Sequence, residues 1–285
     1  MGNLIFNGEL ITRSAVKIDV EDRGYQFGDG VYEVIRIYNG QLFASEMHLK
    51  RLFESAKFIR IKVPFTLEEL KAKLEALIVK DGLTFGIVYM QLTRGASSRN
   101  HAFPTEEVEP VFIAYTKEMP YAGEVKPGVK ALLTDDMRWL RCNIKSLNLL
   151  GNILAKQEAV EAGCAEAVLH RDGIVTEGSS SNVSIIVDGT LKTHPANNLI
   201  LNGITRRVML QLCQANGIPV VEEAFSIADM LAADEVLYTS TGVEVTPIVS
   251  IDGKIINDGQ TGPITRQLQV YFREEIERQC GRLKA

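Results

Sequence analysis

A lysine becomes a nucleophile near neutral pH only when burial or a neighbouring cation makes its charged form costly. The stretch Arg138-Trp139-Leu140-Arg141-Cys142-Asn143-Ile144-Lys145-Ser146-Leu147-Asn148-Leu149-Leu150-Gly151 offers both means. Ile144, Leu147, Leu149 and Leu150 bring apolar side chains near Lys145, and Arg138 and Arg141 bring cations. Further on, Thr176-Glu177-Gly178-Ser179-Ser180-Ser181-Asn182 sets one carboxylate in a loop of glycine and serine. A reactive amine and an isolated acid are a pairing that Schiff-base chemistry can use. Read alone, Lys145 is also a surface lysine ahead of an apolar helix, and Glu177 a turn residue.

Asn202-Gly203-Ile204-Thr205-Arg206-Arg207 marks a helix start whose free N–H groups and positive dipole end suit a phosphate, and Thr205 adds a hydroxyl. By itself the segment is equally a capped helix start. Thr239-Ser240-Thr241-Gly242 is a second hydroxyl-rich turn. In Arg99-Asn100-His101 a forked cation and an imidazole could grip a carboxylate, or could merely decorate a polar loop. Arg51 is a cation on a helix, with solvation as its simplest fate. Gly28-Asp29-Gly30-Val31-Tyr32-Glu33 opens like a dinucleotide fingerprint, but Glu33 replaces the third glycine and a strand follows where a helix is needed, so that reading fails.

These residues must be positioned by elements that the pattern partly reveals. Asn7-Gly8 and Asn39-Gly40 favour type I′ turns, predicting hairpins of Leu4–Phe6 with Glu9–Ile11 and of Glu33–Tyr38 with Gln41–Ala44. Apolar residues at helical spacing predict helices from Glu46 to about Arg60 and over about Leu67–Lys80. Gly86–Arg94 and Pro110–Thr116 read as strands around a polar loop, Gly95–Glu109. The aperiodic segment Lys117–Gly128, with two prolines and two glycines, reads as a linker and divides the chain into residues 1–120 and 121–285. Beyond it come a strand near Val129–Thr134, a helix over about Leu147–Ala162 and strands at Ala165–His170 and Val183–Val187. A strand-like Leu199–Leu201, a helix from about Thr205 and a last helix over about Ile264–Gln279 follow. Asp172-Gly173, Asp188-Gly189 and Asp252-Gly253 add hairpin-type turns. Without regular βαβ alternation, the fold class is α+β.

The 285 residues, 46% hydrophobic and 24% charged, have an ordinary globular composition and room for about two domains. A net charge of -5 supplies no basic patch for nucleic acid and no attraction to anionic membrane surfaces. Four scattered cysteines without a C-x-x-C pair argue against a zinc site or a disulfide framework and fit a cytoplasmic setting. No secretory signal and no apolar run of roughly 18 residues is visible.

Together the motifs, from Arg23-Gly24-Tyr25-Gln26-Phe27-Gly28-Asp29-Gly30-Val31-Tyr32-Glu33 to Tyr238-Thr239-Ser240-Thr241-Gly242, resemble fold-type IV enzymes that use pyridoxal 5′-phosphate (PLP), and within them the D-amino acid aminotransferases. The resemblance covers nearly the whole chain. It implies a smaller N-terminal α/β domain and a larger C-terminal domain with a barrel-like mixed sheet. It implies Lys145 as the Schiff-base lysine and proton shuttle, and Glu177 opposite the pyridine nitrogen. Arg51, Ile204, Thr205, Ser240 and Thr241 would hold the phosphate, with Ser180 and Leu201 against the ring. Tyr32, Arg99 and His101 would hold the substrate α-carboxylate, the loop of Arg99 and His101 reaching across a homodimer interface. The implied reaction is ping-pong transfer from a D-amino acid such as D-alanine to 2-oxoglutarate. Branched-chain L-amino acid aminotransferases and 4-amino-4-deoxychorismate lyases share the lysine, glutamate and phosphate loops and are the alternatives.

Overall fold

The computed structural model describes residues 2–121, 123 and 126–283. Two compact units emerge: Met1–Tyr121 with Ile144–Asn148 and Ile276–Ala285, and Ala122–Asn143 with Leu149–Glu275. The first differs from the expected division at residue 120 because two later segments join it. Ile144–Asn148 does so through backbone pairing with a strand, and the chain's end through Asn39, whose side-chain amide donates to the carbonyls of Cys280, Gly281 and Arg282 at 3.0–3.1 Å. Of the expected linker, Ala122, Glu124 and Val125 lie outside the described residues.

The first unit contains β1 (Asn3–Phe6), β2 (Glu9–Thr12), α1 (Arg23–Phe27), β3 (Gly30–Tyr38), β4 (Gln41–Leu42), α2 (Ser45–Phe58), α3 (Leu67–Asp81), β5 (Gly86–Thr93) and β6 (Val111–Glu118). Its strands form one antiparallel sheet in the order β2-β1-β6-β5-β3-β4. Asn7 (φ 48°), Gly8 (φ 89°), Asn39 (φ 50°) and Gly40 (φ 75°) take the left-handed conformations that the two tight turns require. The second hairpin is shorter than predicted. It stops at Leu42 because Ala44, at φ 49°, turns the chain into α2. The apolar stripes of α2 (Leu49, Leu52, Ala56) and α3 (Leu70, Leu74, Leu77) bury against Val31, Ile35, Ile37, Val88, Met90 and Leu92 on one face of the sheet. Glu33, between those apolar positions, is carried into the same buried layer.

The second unit contains β7 (Val129–Asp135), α4 (Leu150–Glu161), β8 (Glu166–Arg171), β9 (Ile174–Gly178), β10 (Asn182–Val187), β11 (Thr190–Thr193), α5 (Ile204–Ala215), β12 (Val220–Glu222), α6 (Ile227–Ala232), β13 (Glu235–Ser240), β14 (Glu244–Ile251), β15 (Lys254–Ile255) and most of α7 (Pro263–Cys280). The sheet order is β12-β11-β10-β13-β14-β7-β8-β9, with β15 beside β14; β11–β12, β14–β7 and β7–β8 are parallel pairs in an otherwise antiparallel sheet. This order forces curvature. β9 and β10 are five strand spacings apart along the sheet, about 24 Å if it were flat, yet the link between Gly178 and Asn182 spans at most about 14 Å. The sheet therefore curls until β9 returns to β10, where the Gly178 N–H donates to the Ser181 carbonyl at 2.7 Å. The mixed sheet and segregated helices are the expected α+β architecture.

Two expectations are corrected. α4 begins at Leu150, not Leu147, because residues 144–148 are bonded to β3. Leu199–Leu201 forms no strand: the Leu201 N–H is taken by a carboxylate instead of a sheet neighbour. Among the described residues no helix is long and apolar enough to cross a membrane.

One carboxylate anchors the last helix. Glu235, buried on β13, accepts from the N–H groups of Ile264 at 2.9 Å and Thr265 at 2.8 Å, satisfying the exposed donors of the first turn of α7. Glu235→Ala should lower stability by about 2 kcal/mol in a urea titration; an unchanged midpoint would contradict this anchoring.

Candidate active site

Lys145 is set by backbone, beginning with Gly30. A Cβ at Gly30 would meet the Leu92 carbonyl oxygen of β5 and a Leu147 methyl, each at 2.7 Å, so glycine at the start of β3 serves the close approach of β5 and leaves room for Leu147 to pack over it. There the Tyr32 N–H donates to the Lys145 carbonyl at 3.0 Å and the Leu147 N–H to the Gly30 carbonyl at 3.0 Å. The Lys145 N–H donates to Ser55 Oγ on α2 at 3.2 Å, and Ile144 is buried in the adjoining core. The half-buried Lys145 side chain carries its Nζ to 4.2 Å from the centroid of the Tyr32 ring. Tyr32 in turn stacks on Tyr89, whose hydroxyl burial pushes up to about 12 and which donates to Gln91 at 2.9 Å.

The expected environment of the lysine needs two corrections. Leu150 is 70% exposed and desolvates nothing. Arg138 is bound elsewhere: Asp136 receives its Nε and Nη2 at 2.8 Å each, and Glu177 receives its Nη1. A guanidinium shared by two carboxylates is a poor device for discharging a lysine. The aromatic face of Tyr32 is the neighbour that the structure provides instead.

Arg51 is also not the solvated helix charge that its position on α2 permits. It is buried, and its Nε and Nη2 donate to the two oxygens of Glu33 at 2.9 and 2.8 Å. His48 Nδ1 lies 3.0 Å from the same carboxylate. Burial lowers the imidazole below its ordinary value, leaving it neutral at pH 7. Burial alone would raise Glu33, but the Arg51 charge and the His48 hydrogen bond outweigh it and hold the carboxyl well below the usual range.

Arg99 and His101 come together, but not with Tyr32. Both are exposed, and both meet Phe27 of α1: the Arg99 guanidinium lies 4.8 Å from the ring centroid, and the His101 ring centroid 5.4 Å away. Among the described residues no contact joins either to Tyr32, whose neighbours are Tyr89 and Lys145.

In the second unit Glu177, on β9, is fully enclosed. Besides Arg138 it accepts from Asn182 Nδ2 at 2.9 Å and from the Leu201 N–H at 3.0 Å. Burial pushes its carboxyl up to about 7 against the pull of Arg138 and of the Leu201 N–H. Such a group gains by meeting a further cation, as a protonated pyridine nitrogen would be. The loop behind it is braced by buried Glu166, which accepts from the hydroxyls of Ser179 and, at 2.8 Å, Ser181; Ser180 between them is exposed.

Asn182 also donates to the Leu201 carbonyl at 2.7 Å, and a Cβ on Gly203 would collide with Asn182 Oδ1, so this turn too depends on glycine. α5 then opens on Gly203 with no side chain capping it, leaving the first-turn N–H groups at Ile204 and Thr205 for an anion. At the end of β13 the buried Thr239 Oγ1 has no hydrogen-bond partner, and Ser240 and Thr241 follow, half-buried. A buried acid with unspent affinity for a cation, an uncapped helix start and an orphaned buried hydroxyl fit the ring and phosphate of PLP. Sequence reasoning missed Asp136, Ser55, Glu33 and the true partner of Arg138. Asn182 was visible only as the end of the Glu177 motif.

The depressed Glu33 carboxyl sets a pH dependence. Its folded value lies below the unfolded one, so its stabilisation is complete above about pH 4.5 and is lost as acid protonates it. Glu33→Gln should flatten the stability profile between about pH 4.5 and 2, and cost about 3 kcal/mol at pH 7 by leaving buried Arg51 without its anion. Denaturant titrations across that range giving a slope equal to the wild type would refute this.

The amino-transferase class IV family model matches residues 30–251. The D-alanine aminotransferase of Listeria monocytogenes serotype 1/2a (strain 10403S) is 50% identical over 284 residues, 99% of this chain and 98% of that protein. That of Staphylococcus epidermidis (strain RP62A) is 50% identical over 279 residues, 97% of this chain and 99% of that one. Among solved structures, the branched-chain amino acid aminotransferase from Thermobaculum terrenum in its PLP-form is similar with a TM-score of 0.87 at 26% identity, covering 97% of this chain and 94% of its own. The branched-chain amino acid aminotransferase from Escherichia coli gives 0.88 at 27%, with 99% and 96% covered. With a family model spanning most of its length and relatives half identical from end to end, this chain belongs to the class IV aminotransferases.

Proposed function

We propose that this chain is a D-amino acid aminotransferase that carries an amino group from a D-amino acid such as D-alanine to 2-oxoglutarate, giving pyruvate and D-glutamate. One observation carries the reading: proteins named D-alanine aminotransferase share half of its residues over practically the full length. PLP, when bound, supplies an aldehyde that captures the amino group and a ring that accepts the electron pair of the substrate Cα.

The chain's own residues do the rest. Lys145 would hold the cofactor's aldehyde through Nζ and would serve as the base that removes and returns the proton of the substrate Cα. Glu177, oriented by Arg138, Asn182 and the Leu201 N–H, keeps the ring nitrogen cationic. The N–H groups of Ile204 and Thr205, the hydroxyls of Thr205, Ser240 and Thr241, and the charge of Arg51 bind the phosphate. Ser180 and Leu201 would lie against the ring.

Tyr32, Arg99 and His101 bind the substrate α-carboxylate, whose position decides which Cα–H bond points at the lysine and thus which enantiomer reacts. The exposure of Arg99 and His101, and their lack of contact with Tyr32, support a loop that serves a second copy of the chain in a homodimer. The exposed apolar side chains of Met137, Leu140, Leu150 and Ile153 support the same assembly. Four free cysteines support a reducing, cytoplasmic setting. The branched-chain alternative draws on structures 26–29% identical, little more than half the likeness to the D-alanine enzymes.

Adding D-alanine to the purified yellow holoenzyme, without an acceptor, should bleach the absorbance near the visible edge within one turnover, and 2-oxoglutarate should restore it. L-alanine should not bleach it. Bleaching by L-leucine or L-alanine alone would overturn the assignment in favour of the branched-chain reading.

A further inference from the structure

Gly28-Asp29-Gly30, which fails as a dinucleotide fingerprint, has a different use in the structure. α1 is a single turn capped by Asp22, whose Oδ1 accepts from the Gly24 N–H at 2.8 Å, and it ends on Gly28 at φ 66°. The turn delivers Asp29 between two arginines. Arg23 Nε donates to Asp29 Oδ2 at 2.8 Å. Arg94 straddles both oxygens, Nε to Oδ2 at 2.8 Å and Nη2 to Oδ1 at 2.9 Å. Arg23 is 3% exposed and Arg94 8%. Two buried guanidiniums on one carboxylate form a rigid fork, because each is planar and held at more than one point.

The remaining arms of Arg23 reach the loop that follows β5, whereas those of Arg94 donate to the carbonyls of Ile59 at 2.7 Å and Arg60 at 3.2 Å, so that only the face of its guanidinium meets the loop. Arg23 Nη1 donates to the Asn100 carbonyl at 2.5 Å and Nη2 to that of His101 at 3.5 Å, and the Arg23 N–H donates to the Gly95 carbonyl at 2.9 Å. The Arg94 guanidinium lies 3.8 Å from the Phe103 ring centroid. The loop is thus gripped near its start, at the backbone of the Arg99–His101 segment and just beyond it. Phe27 completes the arrangement: Arg23 and Arg99 each lie 4.8 Å from its centroid, with His101 on the same ring. Loops hold their side chains loosely unless their carbonyls are tied down. A carboxylate anchor displaced by about 1 Å can lose much of its effect.

We propose that Asp29, acting through Arg23 and Arg94, clamps the loop of Arg99 and His101, so that Asp29 and Arg23 are positioning residues for the substrate's α-carboxylate. This rests on the reading of Arg99 and His101 as carboxylate ligands. Asp29 and Arg23 touch neither substrate nor cofactor. Asp29 orients Arg23, and Arg23 holds the carbonyls of Asn100 and His101, the backbone on which the Arg99 and His101 side chains are carried.

Steady-state kinetics of the holoenzyme variants Arg23→Gln, Asp29→Asn and Arg99→Ala test the clamp. Each should raise KM for both D-alanine and 2-oxoglutarate by roughly tenfold, and for Arg23→Gln and Asp29→Asn kcat at saturation should stay within about threefold with the cofactor spectrum unchanged. Arg23→Lys keeps the charge but cannot reach Asp29 and the loop carbonyls together, and should fall between Arg23→Gln and wild type. The double variant Arg23→Gln/Arg99→Ala should be no worse than Arg99→Ala. If Arg99→Ala raises KM while Arg23→Gln and Asp29→Asn do not, or if the double variant loses the full product of both effects, the clamp is overturned and the role of Arg99 stands. If Arg99→Ala leaves KM unchanged, the carboxylate reading falls and the clamp with it. Should Asp29→Asn fail to fold, the Arg23 variants, which leave the Asp29–Arg94 pair intact, decide alone.

Discussion

On the proposed reading, covalent capture by Lys145 would demand that the amine return to the same point after every turnover, and a four-carbon side chain cannot ensure that unless its backbone is immobile. Here the immobility comes from hydrogen bonding of residues 144–148 to the first residues of β3, with Ser55 of α2 holding the Lys145 N–H from another side. The missing side chain of Gly30 leaves room for the Leu147 methyl beside β5. The same short pairing puts Tyr32 beside the lysine, so the residue that carries Nζ and the aromatic face that receives it are placed by one interaction. The apolar layer beneath β3, built by α2 and α3, makes that platform stiff.

Glu177, the acid of the proposed site, obeys a different rule. Glu177 is enclosed so thoroughly that burial nearly neutralises it, and Arg138, Asn182 and the Leu201 N–H restore most of what burial removes. Asp136, shared with Arg138, Arg171 and Thr176, prevents Arg138 from overcompensating. The result is a carboxyl poised near neutrality, where contact with one more positive charge fixes it as the anion. A solvated glutamate would meet such a charge with far less energetic consequence, because water screens it.

Much of this was readable in the amino-acid sequence, and what was not has a common cause. Asn7-Gly8 and Asn39-Gly40 announce their turns because few residues accept positive φ, and α2 and α3 announce themselves through apolar periodicity. Lys145 and Glu177 stand out because their neighbours are local. Arg138 was assigned to the lysine seven residues away, when its partners are Asp136 and, 39 positions on, Glu177. Glu33 with Arg51, Lys145 with Tyr32, and Arg23 with Asn100 are likewise pairings that sheet register and loop closure create, and no periodicity encodes them. α1, at five residues, is too short to show a period, and the extended Leu199–Leu201 looked like a strand because its backbone partner is a side-chain carboxylate.

The most direct measurement of the central claim is chemical. Borohydride reduction of the yellow holoenzyme, followed by proteolysis and mass spectrometry, should place a phosphopyridoxyl group on the peptide containing Lys145 and on no other lysine. A group found on a different lysine, or none on a protein that has bound the cofactor, would contradict the account.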